Sequence, residues 1–379
     1  MIDHKRRKGF KLLGLALAVS SLGFAAGARA DGDDDDGYRA GKVFTSTNAV
    51  AGNELLVYAP AAGGALALQA RLATQGNGTG TGLGNQGAVT LSRNGHHLFV
   101  DNALSNSVST FAVRRNALVL QSSVDSGGLQ PVSVTEHDGI VYVLNAGGAG
   151  NVTGFRNAGG TLVPLANSTQ PLSAAGGTGP AQVGFNPDGD VLLVTEKATN
   201  KLTSYRVGAG GLIGTPVVTA SAGATPFGFA FDRRGRALVS EAFGGGVNAS
   251  AVSSYGFEDW APAKPMLISA SVGTTQTAAC WVVVTPDGRH AYTTNTGSGT
   301  ISRYAVQRKT GLISLAEGIA ATSGAGPIDA AIGADGRSLF VLNAGSHTIS
   351  SFAIGWDGRL TANGGATGLP VGANGLAAN

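Results

Sequence analysis

The stretches VLNAGSHTISSF (341–352) and TTNTGSGTISRY (293–304) share one pattern. An apolar strand ends at an asparagine, a short turn follows, and a second strand ends at an aromatic residue. Seven strands of this kind, 43 to 54 residues apart, end in asparagine or glutamate: Asn48, Asn102, Asn145, Glu196, Glu241, Asn295 and Asn343. A period of this length with several short strands in each repeat is typical of β-propeller blades.

Tight glycine turns support this interpretation. Six of the seven strands are preceded by an apolar strand and a turn: SRNG (92–95), EHDG (136–139), NPDG (186–189), DRRG (232–235), TPDG (285–288) and GADG (333–336). Asn-Gly and Asp-Gly pairs favour the backbone conformation that a two-residue hairpin needs. The first repeat lacks this turn, and the segment 369–379 has no repeat of its own. We therefore predict an all-β, seven-bladed β-propeller over residues 42–379, closed by pairing of its N- and C-terminal segments.

These repeats, with VDNALSNSVSTF (100–111) as a third example, resemble the YVTN-type propeller repeat. The chain from residue 42 resembles the lactonase family of seven-bladed propellers, which includes bacterial 6-phosphogluconolactonase and fungal carboxymuconate-lactonizing enzymes. This resemblance implies hydrolysis of a lactone or related cyclic ester of a sugar acid or carboxylic acid. A non-catalytic propeller that binds a ligand or a protein is the alternative.

The first 30 residues have the features of a secretory signal. A basic segment precedes an apolar run at 12–28, and a small-residue cleavage site, Ala-Arg-Ala, follows at 28–30. Residues 31–41, rich in aspartate, are predicted to be a flexible acidic tail. We therefore expect a periplasmic or secreted protein with no membrane insertion after cleavage.

The charge balance changes when the signal is removed. Residues 1–30 hold six of the 26 Lys and Arg but one of the 23 Asp and Glu, which leaves 20 and 22 and a formal charge of about −2. This balance gives no electrostatic reason to expect nucleic-acid binding. Cys280 is the single cysteine, and no His/Cys spacing is typical of zinc. The sequence predicts no metal and no cofactor, and we expect a monomer.

Two adjacent repeats carry glutamate where the others carry asparagine. Glu196 and Glu241 should face the same rim of the ring, and neighbouring carboxylates can serve as an acid and a base. An ion pair of Glu196 with Lys197 or Lys201 is the alternative. His347, in the turn after Asn343, is the histidine expected on this rim. Glu196, Glu241 and His347 are therefore the candidate catalytic residues.

The family resemblance adds candidates beside Glu196. Lactonase-family members have an Asp-Leu-Gly-x-Asp-Arg stretch at this blade edge, and Glu196, Asn200 and Lys201 occupy the positions of its first Asp, its second Asp and its Arg. The histidine that tends to follow a proline in the preceding inner strand is replaced here by Ala181 and Gln182. This departure removes the expected imidazole.

Four residues align at one position of the inner strands: Gln182, Gly228, Trp281 and Asp329. A tryptophan and polar side chains near the ring axis could hold a small polar ligand with one flat face. The candidate binding residues number six: Gln182, Lys197, Asn200, Lys201, Trp281 and Asp329. The expected partner is a small carboxylate or lactone, or a protein. GLGNQG (82–87) matches a dinucleotide motif but precedes a strand rather than a helix, so we expect no such site.

Overall fold

The computed structural model describes residues 41–114, 117–258 and 263–379. In these residues the chain forms seven antiparallel sheets, each built around four strands in which consecutive strands are neighbours. Three short 3-10 turns interrupt the strands, at Ala62–Gly64, Ala209–Gly211 and Phe243–Gly245. The predicted all-β, seven-bladed propeller is confirmed. The predicted signal peptide and all of the acidic tail except Gly41 lie outside the described residues.

The strands are numbered in chain order, and β1 to β12 lie in the first three blades. Blade I has β1 (Val43–Ser46), β2 (Glu54–Pro60) and β3 (Leu66–Ala73). Blade II has β4 (Val89–Leu91), β5 (His97–Asn102), β6 (Ser107–Val113) and β7 (Leu118–Asp125). Blade III has β8 (Pro131–His137), β9 (Ile140–Asn145), β10 (Asn151–Ala158), β11 (Thr161–Pro164) and β12 (Gln170–Pro171), the last also pairing with β10.

The remaining blades have four strands each. Blade IV has β13 (Pro180–Phe185), β14 (Val191–Glu196), β15 (Lys201–Arg206) and β16 (Val217–Ala220). Blade V has β17 (Pro226–Phe231), β18 (Ala237–Glu241), β19 (Ala251–Phe257) and β20 (Pro265–Gly273). Blade VI has β21 (Ala279–Val284), β22 (His290–Asn295), β23 (Thr300–Val306) and β24 (Ile313–Thr322). Blade VII has β25 (Pro327–Ile332), β26 (Ser338–Asn343), β27 (Thr348–Ile354) and β28 (Leu360–Thr367).

The last strand, β29 (Asn374–Ala378), completes blade I. It pairs antiparallel with β1, so that Val43 lies opposite Ala378 and Phe44 lies opposite Ala377. The backbone N–H of Gly41 donates to the carbonyl of Asn379 at 3.0 Å. The predicted closure is therefore confirmed, and it leaves blade I without an open inner edge.

The hydrophobic core is divided among the contacts between blades. Within the described residues, seven buried clusters each join two neighbouring blades, and together they run around the ring. The aromatic residues that end the repeats, such as Tyr205, Tyr304 and Phe352, are buried in these clusters. The ring therefore has no single centre of packing, and its axis is free for other groups.

The two faces of the ring differ in their turns. The predicted glycines of the hairpins between first and second strands all have φ between +66° and +80°: Gly95, Gly139, Gly189, Gly235, Gly288 and Gly336. We call the side on which these hairpins lie the Gly-turn face. The opposite side, where the second strands end in Asn or Glu, is the Asn/Glu face. Among the described residues, no helix is long and apolar enough to cross a membrane.

Candidate functional site

The asparagines that end the second strands tie their own blades together. In blade VII, Asn343 Nδ2 donates to Thr348 Oγ1 at 3.1 Å and to Ser350 Oγ at 2.9 Å. Asn295 makes the equivalent pair of bonds in blade VI. These asparagines are buried and connect a strand end to hydroxyls five and seven residues further on. Their role is structural.

Glu196 is fully buried, and its carboxylate is surrounded by hydrogen-bond donors. Its Oε1 accepts from Ser173 N at 3.0 Å and from Thr203 Oγ1 at 2.6 Å, and its Oε2 accepts from Thr199 Oγ1 at 2.8 Å and from Ser173 Oγ. The partners are thus an amide and hydroxyls rather than Lys197 or Lys201. A buried carboxylate with these donors is satisfied where it stands, which favours a structural role. Its catalytic role stays a prediction.

Glu241 repeats this arrangement in blade V. Its Oε1 accepts from Gly223 N at 2.9 Å and from Ser253 Oγ at 2.5 Å, and its Oε2 accepts from Ser271 Oγ at 2.6 Å. A Cβ on Gly223 would lie 2.2 Å from the carboxylate. In both blades the longer glutamate reaches the incoming loop as well as the third strand. Each carboxylate therefore has its own enclosed set of partners.

The polar residues after Glu196 have separate surroundings. Lys197 donates through Nζ to the carbonyls of Gly84 and Pro180, and the ammonium lies 4.7 Å from the centre of the Phe227 ring. Burial lowers the pKa of Lys197 to about 8. Asn200 occupies a left-handed turn position with φ +54°, and its Oδ1 accepts from Thr225 N at 2.7 Å.

Lys201 and His347 do not join these groups in a common site. Lys201 begins β15 and lies directly opposite Glu196 in the strand pairing, without an ion pair to it. His347 lies in the turn between β26 and β27 with φ +56°, and its carbonyl accepts from Leu369 N at 3.0 Å. Its Nδ1 is buried and has no hydrogen-bond partner among the described residues. The proposed catalytic use of His347 stays a prediction.

The inner-strand candidates form a belt of contacts between neighbouring blades. Gln182 accepts from Phe229 N at 2.6 Å and donates to Phe229 O at 3.0 Å, so it joins blade IV to blade V. Asp329 accepts from Leu376 N at 3.0 Å and joins blade VII to the closing strand. Ser133, at the same position of blade III, accepts from Val183 N at 3.1 Å. This position joins the inner strands to one another, and the binding role expected for it stays a prediction.

A loop that crosses the ring axis closes the Asn/Glu side. We call residues 77–87 the crossing loop. Its Asn85 carbonyl accepts from Trp281 Nε1 at 2.7 Å, and its Gln86 donates through Nε2 to Val282 O at 3.2 Å and through its backbone to Ala181 O at 3.0 Å. These bonds reach blades IV and VI from a loop that precedes blade II. The dinucleotide-like stretch 82–87 is therefore part of an axial plug.

Apolar groups complete the plug. Trp281 is buried and packs on Phe227 with ring centroids 4.9 Å apart. Cys280 lies in the same buried cluster, and burial raises its pKa to about 11. Neither side chain is available to a ligand in solution. The predicted binding role of Trp281 stays a prediction, and its contacts here are with the protein itself.

One buried acid beside the plug has no partner. Asp101 lies next to the end of β5 with 3% of its surface exposed, and neither carboxyl oxygen has a hydrogen-bond partner among the described residues. The corresponding residues Thr195 and Ser240 donate to carbonyls of the next blade. Burial raises the pKa of Asp101 well above its usual 3.8. Asp101 is therefore an acid in a place where blades IV, V and VI have a hydroxyl.

The Gly-turn half of the axis holds an open cavity of about 620 Å³. Inner strands of blades II to VII surround it, with Gln86 and Gln182 among its lining residues and apolar side chains such as Val283 and Phe231 on its walls. A volume of this size is typical of small-molecule sites. This cavity lies on the side of the ring opposite Glu196 and Glu241.

Three side chains of adjacent blades meet at the mouth of this cavity. Arg93 Nη1 lies 2.5 Å from His137 Nε2 and donates to Pro187 O at 2.6 Å. The same imidazole nitrogen lies 3.0 Å from Pro187 O, so it accepts from Arg93 in one tautomer and donates to Pro187 O in the other. Glu136 accepts from Arg93 N at 2.8 Å and from Gly139 N at 2.6 Å. Glu136 therefore fixes the two hairpins that present Arg93 and His137.

The sequence analysis selected His347 on the Asn/Glu face and did not select Arg93 or His137. The signal that could have found them is their register. Arg93 belongs to the SRNG turn and His137 to the EHDG turn, which occupy equivalent places in adjacent blades. Equivalent hairpins on the inner strands of a ring must converge on its axis. Within the described residues, no group of three His, Cys, Asp or Glu side chains could hold a metal ion.

The comparisons agree with this fold. Residues 250–372 match the family model described as lactonase, 7-bladed beta-propeller. The match spans most of blades V to VII, and over these residues the resemblance to the lactonase propellers is confirmed. The class of fold is thus a seven-bladed propeller, and its sequence likeness to the lactonase propellers covers residues 250–372. No curated protein matches the chain in sequence at a significant level.

Solved structures extend the likeness to the whole ring. A protein from Lactobacillus plantarum shares 17% identity and a TM-score of 0.70, covering 89% of this chain and 98% of its own. The periplasmic gluconolactonase of Pseudomonas aeruginosa shares 17% identity and a TM-score of 0.65, covering 88% and 98%. A Bacteroides uniformis protein, provisionally described as a 6-phosphogluconolactonase, shares 17% identity and a TM-score of 0.68, covering 88% and 99%. These similarities show a shared fold.

Proposed function

We propose that the protein is an exported lactonase-like hydrolase, acting on a lactone or related cyclic ester of a sugar acid or carboxylic acid. The observation that carries the proposal is the axial cavity, with Arg93 and His137 at its mouth. The lactonase family match over 250–372 and the fold shared with a periplasmic gluconolactonase support it. The basic and apolar segments of residues 1–30 support export.

The chemistry requires a base for water and a positive charge for the oxyanion. Arg93 is exposed, so its guanidinium can turn from His137 to the carbonyl oxygen of a lactone in the cavity. His137 Nε2 would then accept a proton from water as the water oxygen attacks the carbonyl carbon. The ring C–O bond of the tetrahedral intermediate breaks, and the leaving oxygen takes the proton from His137. The product is an open-chain hydroxy acid.

A binding propeller without catalysis is the second candidate, and two observations favour it. Glu196 and Glu241 are both fully satisfied by protein donors, and Arg93 and His137 contact each other. A site of this kind could recognise a small carboxylate through Arg93 without reacting with it. The two functions would use the same cavity.

The experiment is a lactone panel, with gluconolactone, 6-phosphogluconolactone and carboxylic lactones as substrates. We expect turnover with at least one, and a fall in kcat of about 100-fold or more in His137→Gln, because a positioned base contributes about 10²–10⁴. His96→Gln is the matched control, since His96 is exposed on the same face and does not line the cavity. Binding of the lactones without turnover would establish the binding propeller.

A second experiment tests export. In N-terminal sequencing of the exported protein, the first residue should be Asp31.

A further inference from the structure

We propose that a second groove on the Gly-turn face binds a neutral saccharide, with a pyranose ring stacked on the indole of Trp356. The groove has a volume of about 450 Å³. Its chemically distinctive lining residues are Arg233, Asp287, His290, Asp335, Arg337 and Trp356. We call it the Trp356 groove. It goes beyond the proposed lactonase activity, because saccharide binding here requires no reaction.

Trp356 is the first observation. It is 91% exposed, and no other aromatic side chain in the described ranges is as open to solvent. Its indole lines the groove, so its apolar face is open to a ligand there. The aliphatic C–H face of a pyranose complements the electron-rich face of an aromatic ring.

The turn that carries Trp356 is fixed from a neighbouring blade. Tyr292 OH donates to Gly358 O at 2.6 Å, and Arg303 Nη1 donates to Asp357 O at 2.8 Å. Within the turn, Gly358 N donates to Gly355 O at 2.9 Å. The backbone beneath the indole is thus held on both sides. A platform that is already ordered loses less entropy when a ligand stacks on it.

The polar side chains of the groove can bond to hydroxyl groups. The guanidinium groups of Arg233 and Arg337 have no hydrogen bond or ion pair to any described residue, so their donors are available. Asp335 uses one carboxylate oxygen for Arg337 N at 2.8 Å and keeps the other available. Asp287 accepts from Thr285 Oγ1 at 2.6 Å and from Arg289 N at 3.0 Å, and it forms an ion pair with Arg289 at 3.6 Å. The groove thus presents donors from Arg233 and Arg337 and an acceptor on Asp335, which suits a ligand whose hydroxyls both donate and accept.

The groove adjoins the axial cavity. Pro286 lines both the groove and the cavity, and it lies in the hairpin between β21 and β22. A saccharide stacked on Trp356 would therefore extend along the same face toward the mouth formed by Arg93 and His137. This direction fits a ligand of several sugar units rather than a single sugar.

Isothermal titration calorimetry on the full protein tests the proposal. The probes are trisaccharides of glucose, galactose, mannose and xylose, with trigalacturonate as the charged comparison. We expect at least one neutral trisaccharide to bind, with little dependence on salt. Trp356→Ala should raise its Kd by about threefold to tenfold, because an aromatic stacking contact is removed, while Trp356→Phe should retain most of the affinity.

The control variant is Arg234→Gln, because Arg234 neighbours Arg233 in the same turn and does not line the groove. Arg233→Gln should weaken binding severalfold, and Arg234→Gln should leave it unchanged. The proposal is overturned if no neutral trisaccharide binds, if trigalacturonate alone binds, or if Trp356→Ala binds as well as wild type. None of these outcomes depends on lactone hydrolysis, so failure of the proposed function would be seen separately in the lactone panel.

Discussion

Asp329 and Leu376 are joined by a hydrogen bond of 3.0 Å between carboxylate Oδ2 and backbone N–H. The bond connects the inner strand of blade VII to the closing strand of blade I. Asp329 also accepts from its neighbour Ala330 N at 2.8 Å. Burial raises the pKa of Asp329, and nearby amides, including that of Gly87 in the crossing loop, oppose this rise. One buried side chain thus links the last blade, the closing strand and the axial plug.

Replacing Asp329 by alanine should weaken ring closure. The N–H of Leu376 would stay buried without this partner, and a buried unsatisfied group costs about 1–3 kcal/mol in the free energy of unfolding. Ser133→Ala is the matched control, because Ser133 makes one bond of this kind between blades III and IV. Denaturant unfolding should show the larger loss for Asp329→Ala. Equal losses would mean that the closing contact has no special importance.

Replacing Glu196 by asparagine should destabilise the protein and leave its activity intact. Asparagine is shorter, and its amide brings N–H donors toward Ser173, Thr199 and Thr203, which are themselves donors here. We expect a loss of about 1–3 kcal/mol in the free energy of unfolding. Glu241→Asn should behave alike. A large fall in kcat at unchanged melting temperature would instead support the predicted catalytic carboxylate.

Replacing Asp101 by asparagine should stabilise the protein at neutral pH. Burial raises the pKa of Asp101, so between 3.8 and the higher folded value the folded chain holds a proton that the unfolded chain has released. Stability then falls as pH rises through this window. Asp101→Asn should remove that dependence and match wild type near pH 3. Urea melts at pH 3, 5 and 7 check this, and parallel curves for the two proteins would contradict it.

Replacing Lys197 by methionine should change stability with pH in the opposite sense. The folded pKa of Lys197 is lowered to about 8 from 10.5 by burial. Between these values the unfolded chain binds more protons, so the contribution of Lys197 to stability rises with pH. From pH 8 to 10, the free energy of unfolding of wild type should rise relative to that of Lys197→Met by up to about 1.4 kcal/mol per pH unit. A constant difference between the two proteins would contradict the shift.

The fold could be predicted because each blade repeats its own local signals. Strand-end asparagines and glycine turns lie within a few residues of the groups that they organise, as Asn343 does with Thr348. The site could not be predicted in the same way. The crossing loop meets Trp281 across 196 residues of sequence. No repeat encodes that contact, yet it decides which face of the axis stays open.

The glutamates show a second limit of the sequence. A carboxylate where the other repeats have asparagine suggests a catalytic role. The structure shows that the donors around Glu196 come from the loop at Ser173 as well as from its own blade. The longer side chain therefore reaches a neighbouring segment of the chain. The position of that loop is not encoded in the repeat.

The pairing of β1 with β29 also sets an order of events for the chain. Lys42 N bonds to Asn379 Oδ1 across 337 residues. When the chain emerges N-terminus first, β1 can form early but its inner edge waits for residues 374–378. Until then an incomplete ring exposes a strand edge to other chains. Assembly of this ring is therefore gated by its final residues, and a chaperone that shields β1 would act during that interval.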